Sequence, residues 1–267
     1  MTGTIYTHRW HPPSGVTPLN RGIYLLHGIG EHAGRYQRFA TFLADLGYEV
    51  AAHDHPGHGK SGGKKGVIDT DNALVDVAVE HFNAFEKEMG SSPILFGHSL
   101  GGLVATTMVL ERNVNASSLM LSAPAYAPFV GPVNKIKLKL LEAVAPRFTQ
   151  QLPYNPEILT SDLHEQEQGR QDPLNHRYKS ASIVGWIIRA GQQAIDLAGN
   201  LNISTLILIP GADLVVDANQ TQIFVDNAPS DKLTARYYDN FLHEMLNETP
   251  ERRERVLVDI KCWLAEI

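Results

Sequence analysis

Cysteine is nearly absent: among 267 residues Cys262 stands alone, which excludes an intramolecular disulfide and is compatible with a reducing compartment. It falls in an amphipathic terminal segment and reads as an ordinary thiol. Also missing is any apolar run near the roughly 18 residues of a membrane span. Met1 to Pro12 has neither the charged start nor the apolar stretch of a secretory signal. These absences predict a cytoplasmic protein. No block of lysine or arginine offsets the formal net charge of -6, so nucleic acid and other polyanions are not expected partners. No biased tract suggests disorder, and no 20-to-50-residue period suggests a solenoid or propeller.

What is present, 43% hydrophobic and 19% charged residues, allows one large α/β domain or a core with an inserted subdomain. Ile23 to Leu26 is a short apolar run closed by His27-Gly28-Ile29-Gly30, as expected of a strand buried on both faces. Arg35 to Leu46 then has helical spacing and stops at Gly47, and Tyr48 to Ala52 is a strand followed by turn-rich Asp54 to Gly59. The alternation continues with a helix over Ala73 to Met89, a strand over Ile94 to Phe96, a helix over Leu103 to Leu110 and a strand over Ser118 to Leu121. It resumes at Ile183, with strands over Thr205 to Ile209 and Lys232 to Tyr238 and a closing helix over Pro250 to Ile267. The expected class is α/β, a mainly parallel sheet with helices on both faces and ligands outside the carboxyl ends of its strands.

Between Ala125 and Ser182 the alternation lapses amid six prolines, Pro128, Pro132, Pro146, Pro153, Pro156 and Pro173. Residues 125–182 are therefore expected to form a helical cap inserted into a core made of 1–124 and 183–267. Val133 to Val144 carries Val133, Ile136, Leu140, Leu141 and Val144 on one helical face. Most such faces pack on a core; the alternative is a lid that touches membrane or micelle transiently.

The chemistry centres on Gly97-His98-Ser99-Leu100-Gly101-Gly102. A Gly-x-Ser-x-Gly between a buried strand and a helix start is a nucleophile elbow, in which a sharp turn lifts the serine hydroxyl clear of the sheet. Leu100 offers its N–H at the positive end of the following helix, and Ile29 offers a second donor if its N–H faces Ser99; together they would form an oxyanion hole. A serine hydroxyl needs a general base, and the imidazole needs a carboxylate to fix its tautomer. Ser99, Asp213 and His243 appear in that order, each after a strand. Asp217 is a rival acid, better placed to cap a helix. His243 is chosen among 12 histidines by position, and His98 reads as a packing residue. His53, His55 and His58 superficially suggest a metal cluster, but the strand period and the Pro-Gly turn scatter them. His243-Glu244 begins a zincin-like motif that Asn247 breaks, so no metal or cofactor is expected.

With the blocks His27 to Tyr36, Asp54 to Gly63, Gly97 to Gly102, Leu121 to Pro124, Gly211 to Asp217 and His243 to Glu248, the chain resembles the monoacylglycerol lipase and lysophospholipase branch of the α/β-hydrolases. The resemblance runs from residue 27 to 248. It implies Ser99 as nucleophile, Asp213 as acid, His243 as base, Ile29 and Leu100 as oxyanion donors, and a cap shaping an acyl tunnel and an alcohol pocket. Glu31 and Arg35 lie in a matching loop, where they either contact a polar headgroup or pair with each other. Pro56 stands where many relatives carry arginine, and the cap matches little beyond Asp172-Pro173-Leu174. The implied activity is hydrolysis of a small acyl ester, a monoacylglycerol or lysophospholipid. Alternatives are a small-ester, thioester or amide substrate for the same triad, a C–C bond hydrolase, and a non-catalytic receptor.

Overall fold

The computed structural model describes residues 3–129 and 132–267. In chain order the elements are β1 (Thr7–Trp10), β2 (Gly22–Leu26), α1 (Gln37–Asp45), β3 (Glu49–His53), α2 (Ala73–Met89), β4 (Ile94–His98), α3 (Leu100–Arg112), β5 (Ser118–Ser122), α4 (Pro132–Val144), β6 (Thr149–Gln151), α5 (Leu163–Gln171), β7 (Tyr178–Ser180), α6 (Ala181–Leu197), β8 (Ser204–Pro210), α7 (Ala218–Asn227), β9 (Leu233–Tyr238) and α8 (Pro250–Glu266). Seven strands form one sheet in the order β1-β3-β2-β4-β5-β8-β9. Within this sheet only the β1–β3 pairing is antiparallel.

Strand alternation distributes the core to two faces. Ile23, Leu25, Leu206 and Leu208 face one side, with Phe39 and Leu43 of α1 and Ile260 and Trp263 of α8. Tyr24, Leu26, Ile207 and Ile209 face the other, with Phe82 of α2, Leu103 of α3, Trp186 of α6 and Phe224 of α7. Both faces are thus covered, which is why the parallel strands read as continuous apolar runs rather than alternating ones.

β1 has no counterpart in the sequence reading. It is an edge strand of alternating exposed and half-buried residues, so it lacks the apolar run that marks its neighbours. Residues 125–182 hold α4, α5 and the two-stranded β6–β7 ribbon, paired Thr149↔Ser180 through Gln151↔Tyr178. Helix α6 starts at Ala181, two residues before the expected boundary, because the Ser180 hydroxyl caps it by accepting from Ile183 N–H.

The core-packing expectation for α4 is corrected. Ile136, Leu140 and Val144 are 64%, 65% and 82% exposed; the side chain of Val133 lies outside the described residues. Leu138, Leu141, Glu142 and Ala145 are the more buried set. Glu142 turns toward α6, where Gly185 leaves room for its carboxylate and Arg189 Nη1 donates to it at 2.8 Å. That ion pair and the Leu138–Leu141 face rotate the apolar stripe outward. No helix among the described residues is long and apolar enough to cross a membrane.

Candidate active site

β4 lies at the centre of the sheet between β2 and β5, so the loop after β2 and the turn after β4 meet at one edge. At that turn Ser99 has φ 52° and ψ -116°, a conformation costing a non-glycine residue on the order of 1–3 kcal/mol. The surrounding structure imposes it: Ser99 N–H donates to Ser122 O at 3.0 Å, and Ser99 O accepts from Leu103 and Ala125 N–H. Two glycines make the close approach feasible. A Cβ on Gly97 would stand 2.3 Å from Gly101 O, and one on Gly101 would stand 2.2 Å from Leu26 O.

His243, in the loop after β9, reaches back over the sheet edge. Its Nε2 accepts from the Ser99 hydroxyl at 2.9 Å, and its Nδ1–H donates to Asp213 Oδ2 at 2.7 Å. All three residues are buried. The second Asp213 oxygen accepts from Val215 and Val216 N–H at 2.7 and 3.0 Å. Burial pushes the Asp213 carboxyl up, but His243 and the two backbone donors outweigh it and hold the acid below its usual range. The carboxylate is therefore ionised and oriented, able to fix one imidazole tautomer and stabilise a protonated ring. Asp217 instead caps α7, accepting from Asn219 N–H. His98 bonds Ser122 Oγ at 3.2 Å rather than Ser99, and burial with the neighbouring His243 lowers it to about 3.

Leu100 opens α3, where the first N–H groups have no intrahelical acceptor. Ile29 N–H donates to no other described residue. Both residues line the cavity that contains Ser99 and His243. Gly28 brings the first loop close: a Cβ there would stand 3.4 Å from Ser99 Cβ.

Glu31 and Arg35 also line the cavity, but their polar atoms engage each other and a residue the sequence reading did not single out, Glu244. Arg35 Nη1 donates to Glu31 at 2.8 Å, and its two terminal nitrogens make a bidentate contact with Glu244 at 3.0 and 2.8 Å. Burial pushes Glu244 up, yet Arg35 overrides it and holds the carboxyl at about 2. Burial raises Glu31, with Glu244 adding to the effect and Arg35 opposing it. In the sequence Glu244 was visible only as the neighbour of the candidate base, in a broken zincin-like start and in the block His243 to Glu248, with nothing to pair it with Arg35.

The cavity measures about 470 Å³, within the range of small-molecule sites. Its walls are mainly apolar, with Phe129, Leu152, Ile158 and Leu159 from residues 125–182 and Ile187 and Leu214 from the chain after them. His53, His55 and His58 are buried and spread along a run of packed rings. Asp54 between them ties its loop, accepting from Ala33 and Lys60 N–H. Such an arrangement can deprotonate a buried serine against an ester carbonyl and receive the resulting oxyanion on two backbone donors.

The comparisons agree with this architecture. A rat monoglyceride lipase is 29% identical over 96% of this chain and 86% of its own. A monoacylglycerol lipase of Mycolicibacterium smegmatis is 29% identical over 96% of this chain and 90% of its own. The crystal structure of Paleococcus ferrophilus monoacylglycerol lipase superposes with a TM-score of 0.87 at 27% identity, covering 98% of this chain and 99% of that one. The family model described as serine aminopeptidase, S33, matches residues 18–250. The chain is an α/β-hydrolase and belongs to that family.

Proposed function

We propose that the protein is a serine hydrolase that cleaves carboxylic esters of single acyl chains, monoacylglycerols first among them, through an acyl-enzyme. The observation that carries this reading is the Asp213–His243–Ser99 array, with contacts of 2.7 and 2.9 Å, set at the base of an apolar cavity. Ser99 attacks the carbonyl carbon while His243 takes its proton. Ile29 and Leu100 N–H groups receive the developing oxyanion, two donors each contributing about 3 kcal/mol to its stabilisation. Protonated His243 hands the proton to the departing alcohol, and water activated by the same ring then releases the fatty acid. Protein groups and water suffice for each step.

Residues 125–182 act as a cap in this reading. Phe129, Ile136, Leu140, Val144 and Phe148 on it are each more than half exposed, a surface suited to transient contact with a membrane or micelle holding the substrate. A single exposed cysteine accords with a cytoplasmic setting. The monoglyceride lipase names of the relatives support the choice of substrate.

The test is a chain-length series of monoacylglycerols and lysophospholipids, run with wild type and Ser99→Ala, beside fluorophosphonate labelling. Turnover of medium or long monoacylglycerols lost in the variant is expected. An optimum at acetyl would refute the lipid assignment, and labelling of Ser99 without turnover of any ester would favour a receptor.

A further inference from the structure

The oxyanion loop and the loop bearing the base come from opposite ends of the chain, yet one buried ionic unit joins them. Glu31 Oε1 accepts from Gly28 N–H at 2.6 Å and from the Tyr36 hydroxyl at 2.7 Å. The first contact fixes the His27–Gly28 peptide, one unit before the peptide that carries the Ile29 N–H. Glu31 Oε2 accepts from Arg35, and the same guanidinium grips Glu244 in a fork. Glu244 follows His243 directly; its own N–H is pinned to Leu159 O at 2.7 Å, and Asn247 Nδ2 donates to its side chain at 2.9 Å. Glu31, Arg35 and Glu244 side chains are only 8%, 11% and 8% exposed.

The internal partners take both carboxylates and three of the five guanidinium N–H groups, the two of Nη1 and one of Nη2, so most of the polar capacity of this unit is spent within the protein. A bidentate pair is also directional, and a planar fork resists the sliding that a point charge permits.

We propose that Glu31, Arg35 and Glu244 form a clamp that holds the Ile29 N–H and the His243 ring in register across the cavity, acting as positioning residues rather than as ligands for the alcohol part of the substrate. The proposal rests on the serine-hydrolase reading above. Its physical basis is the steep dependence of oxyanion stabilisation on donor placement, where an error of about 1 Å costs roughly a hundredfold in rate. Loss of either carboxylate frees Arg35 from one loop while it stays attached to the other.

The experiment compares wild type, Glu31→Ala, Glu31→Gln, Glu244→Gln and the double variant Glu31→Ala/Glu244→Gln on a glyceryl ester and a methyl ester of the same fatty acid. Glu31→Ala is expected to lower kcat by about a hundredfold on both esters alike, with KM within about threefold. Glu31→Gln is expected to recover only part of that loss, because the amide oxygen still accepts from Gly28 N–H while the bond from Arg35 is gone. The double variant is expected to fall well short of the product of the single effects, since both act through one guanidinium. Should Glu31→Ala fail to fold, the methyl-to-glyceryl comparison with Glu31→Gln and Glu244→Gln decides the question. An effect confined to KM for the glyceryl ester would assign a headgroup role and overturn the proposal. A fall in thermal stability with kcat unchanged, or fully multiplicative effects, would overturn it as well. Ser99→Ala that kept turnover would refute the hydrolase reading itself and the clamp with it, whereas the other outcomes bear on the clamp alone.

Discussion

Acid should unfold this protein early, and the buried histidines set the scale. His27, His53, His55, His58, His98 and His176 are all buried, and burial heads the causes that lower each below its ordinary value of 6.5. The geometry requires neutral rings. His27 Nδ1–H donates to Gly28 O while its Nε2 accepts from His55 N–H, so a second proton on that ring would break a backbone contact beside the oxyanion loop. Because the folded values are depressed, the unfolded chain binds more protons below pH 6.5, and stability is full above that value and declines as pH falls toward the folded ones. His58 at about 4 and His98 and His176 at about 3 each forfeit about 2 kcal/mol between pH 8 and pH 5, about 6 kcal/mol together. The other three act in the same direction. Against a total stability on the order of 5–15 kcal/mol, that loss lowers Tm by roughly 10–20 °C. Thermal melts followed by circular dichroism from pH 8 to pH 4, with His176→Phe as a partner variant, would measure it. The variant should show a shallower decline, since it removes one proton-binding site from the unfolded state. A Tm at pH 5 within about 3 °C of that at pH 8 would refute the reasoning, because the rings would then be hydrated enough to charge in place.

Replacing Ser99 with glycine should abolish turnover and yet raise stability by about 1 kcal/mol, because the positive φ no longer strains a side-chain-bearing residue; matched melts and ester assays would show both. Asp213→Asn should cut kcat by roughly 10⁴-fold with the fold intact, since the amide supports the wrong tautomer of His243, and stopped-flow acylation would locate the loss. Asp217→Ala should cost about 1 kcal/mol of stability through the lost cap on α7 and leave kcat unchanged. Leu140→Glu on the exposed stripe of α4 should slow hydrolysis of vesicle-borne monoacylglycerol by severalfold while sparing a soluble short-chain ester. Equal slowing on both would remove the membrane role of the cap.

The main fold was largely legible because its signals are local. The span of α2 was read to the residue from its spacing and the glycine after it, and Gly90 indeed closes the helix with φ 66°. The buried strands β2, β4, β5 and β8 stand out as apolar runs, since a parallel sheet covered on both faces leaves no polar alternation. The edge strand β1 and the β6–β7 ribbon did not stand out, because their stability comes from pairing with distant partners rather than from their own composition. The outward stripe of α4 was equally illegible. Periodicity identifies an apolar face, but which way it points depends on contacts with α6, among them the Glu142–Arg189 pair, that no local pattern encodes.

Within the site the division is similar. The order of Ser99, Asp213 and His243, the glycines of the elbow and the loop at Ile29 are sequence features, each dictated by what a strand-to-helix turn and a general base require. Whether they meet depends on strand order, and the placement of β2 and β8 on either side of the β4–β5 pair brings their loops to one edge. The clamp belongs wholly to the tertiary structure. Arg35 and Glu244 are separated by 209 residues, and nothing local distinguishes a buried bidentate pair from two ordinary surface charges. The chain by itself determined which chemical groups were available and in what order. Only the fold decided which of them face each other across the cavity and which carboxylates lose their water, because burial and distance arise from the packed whole.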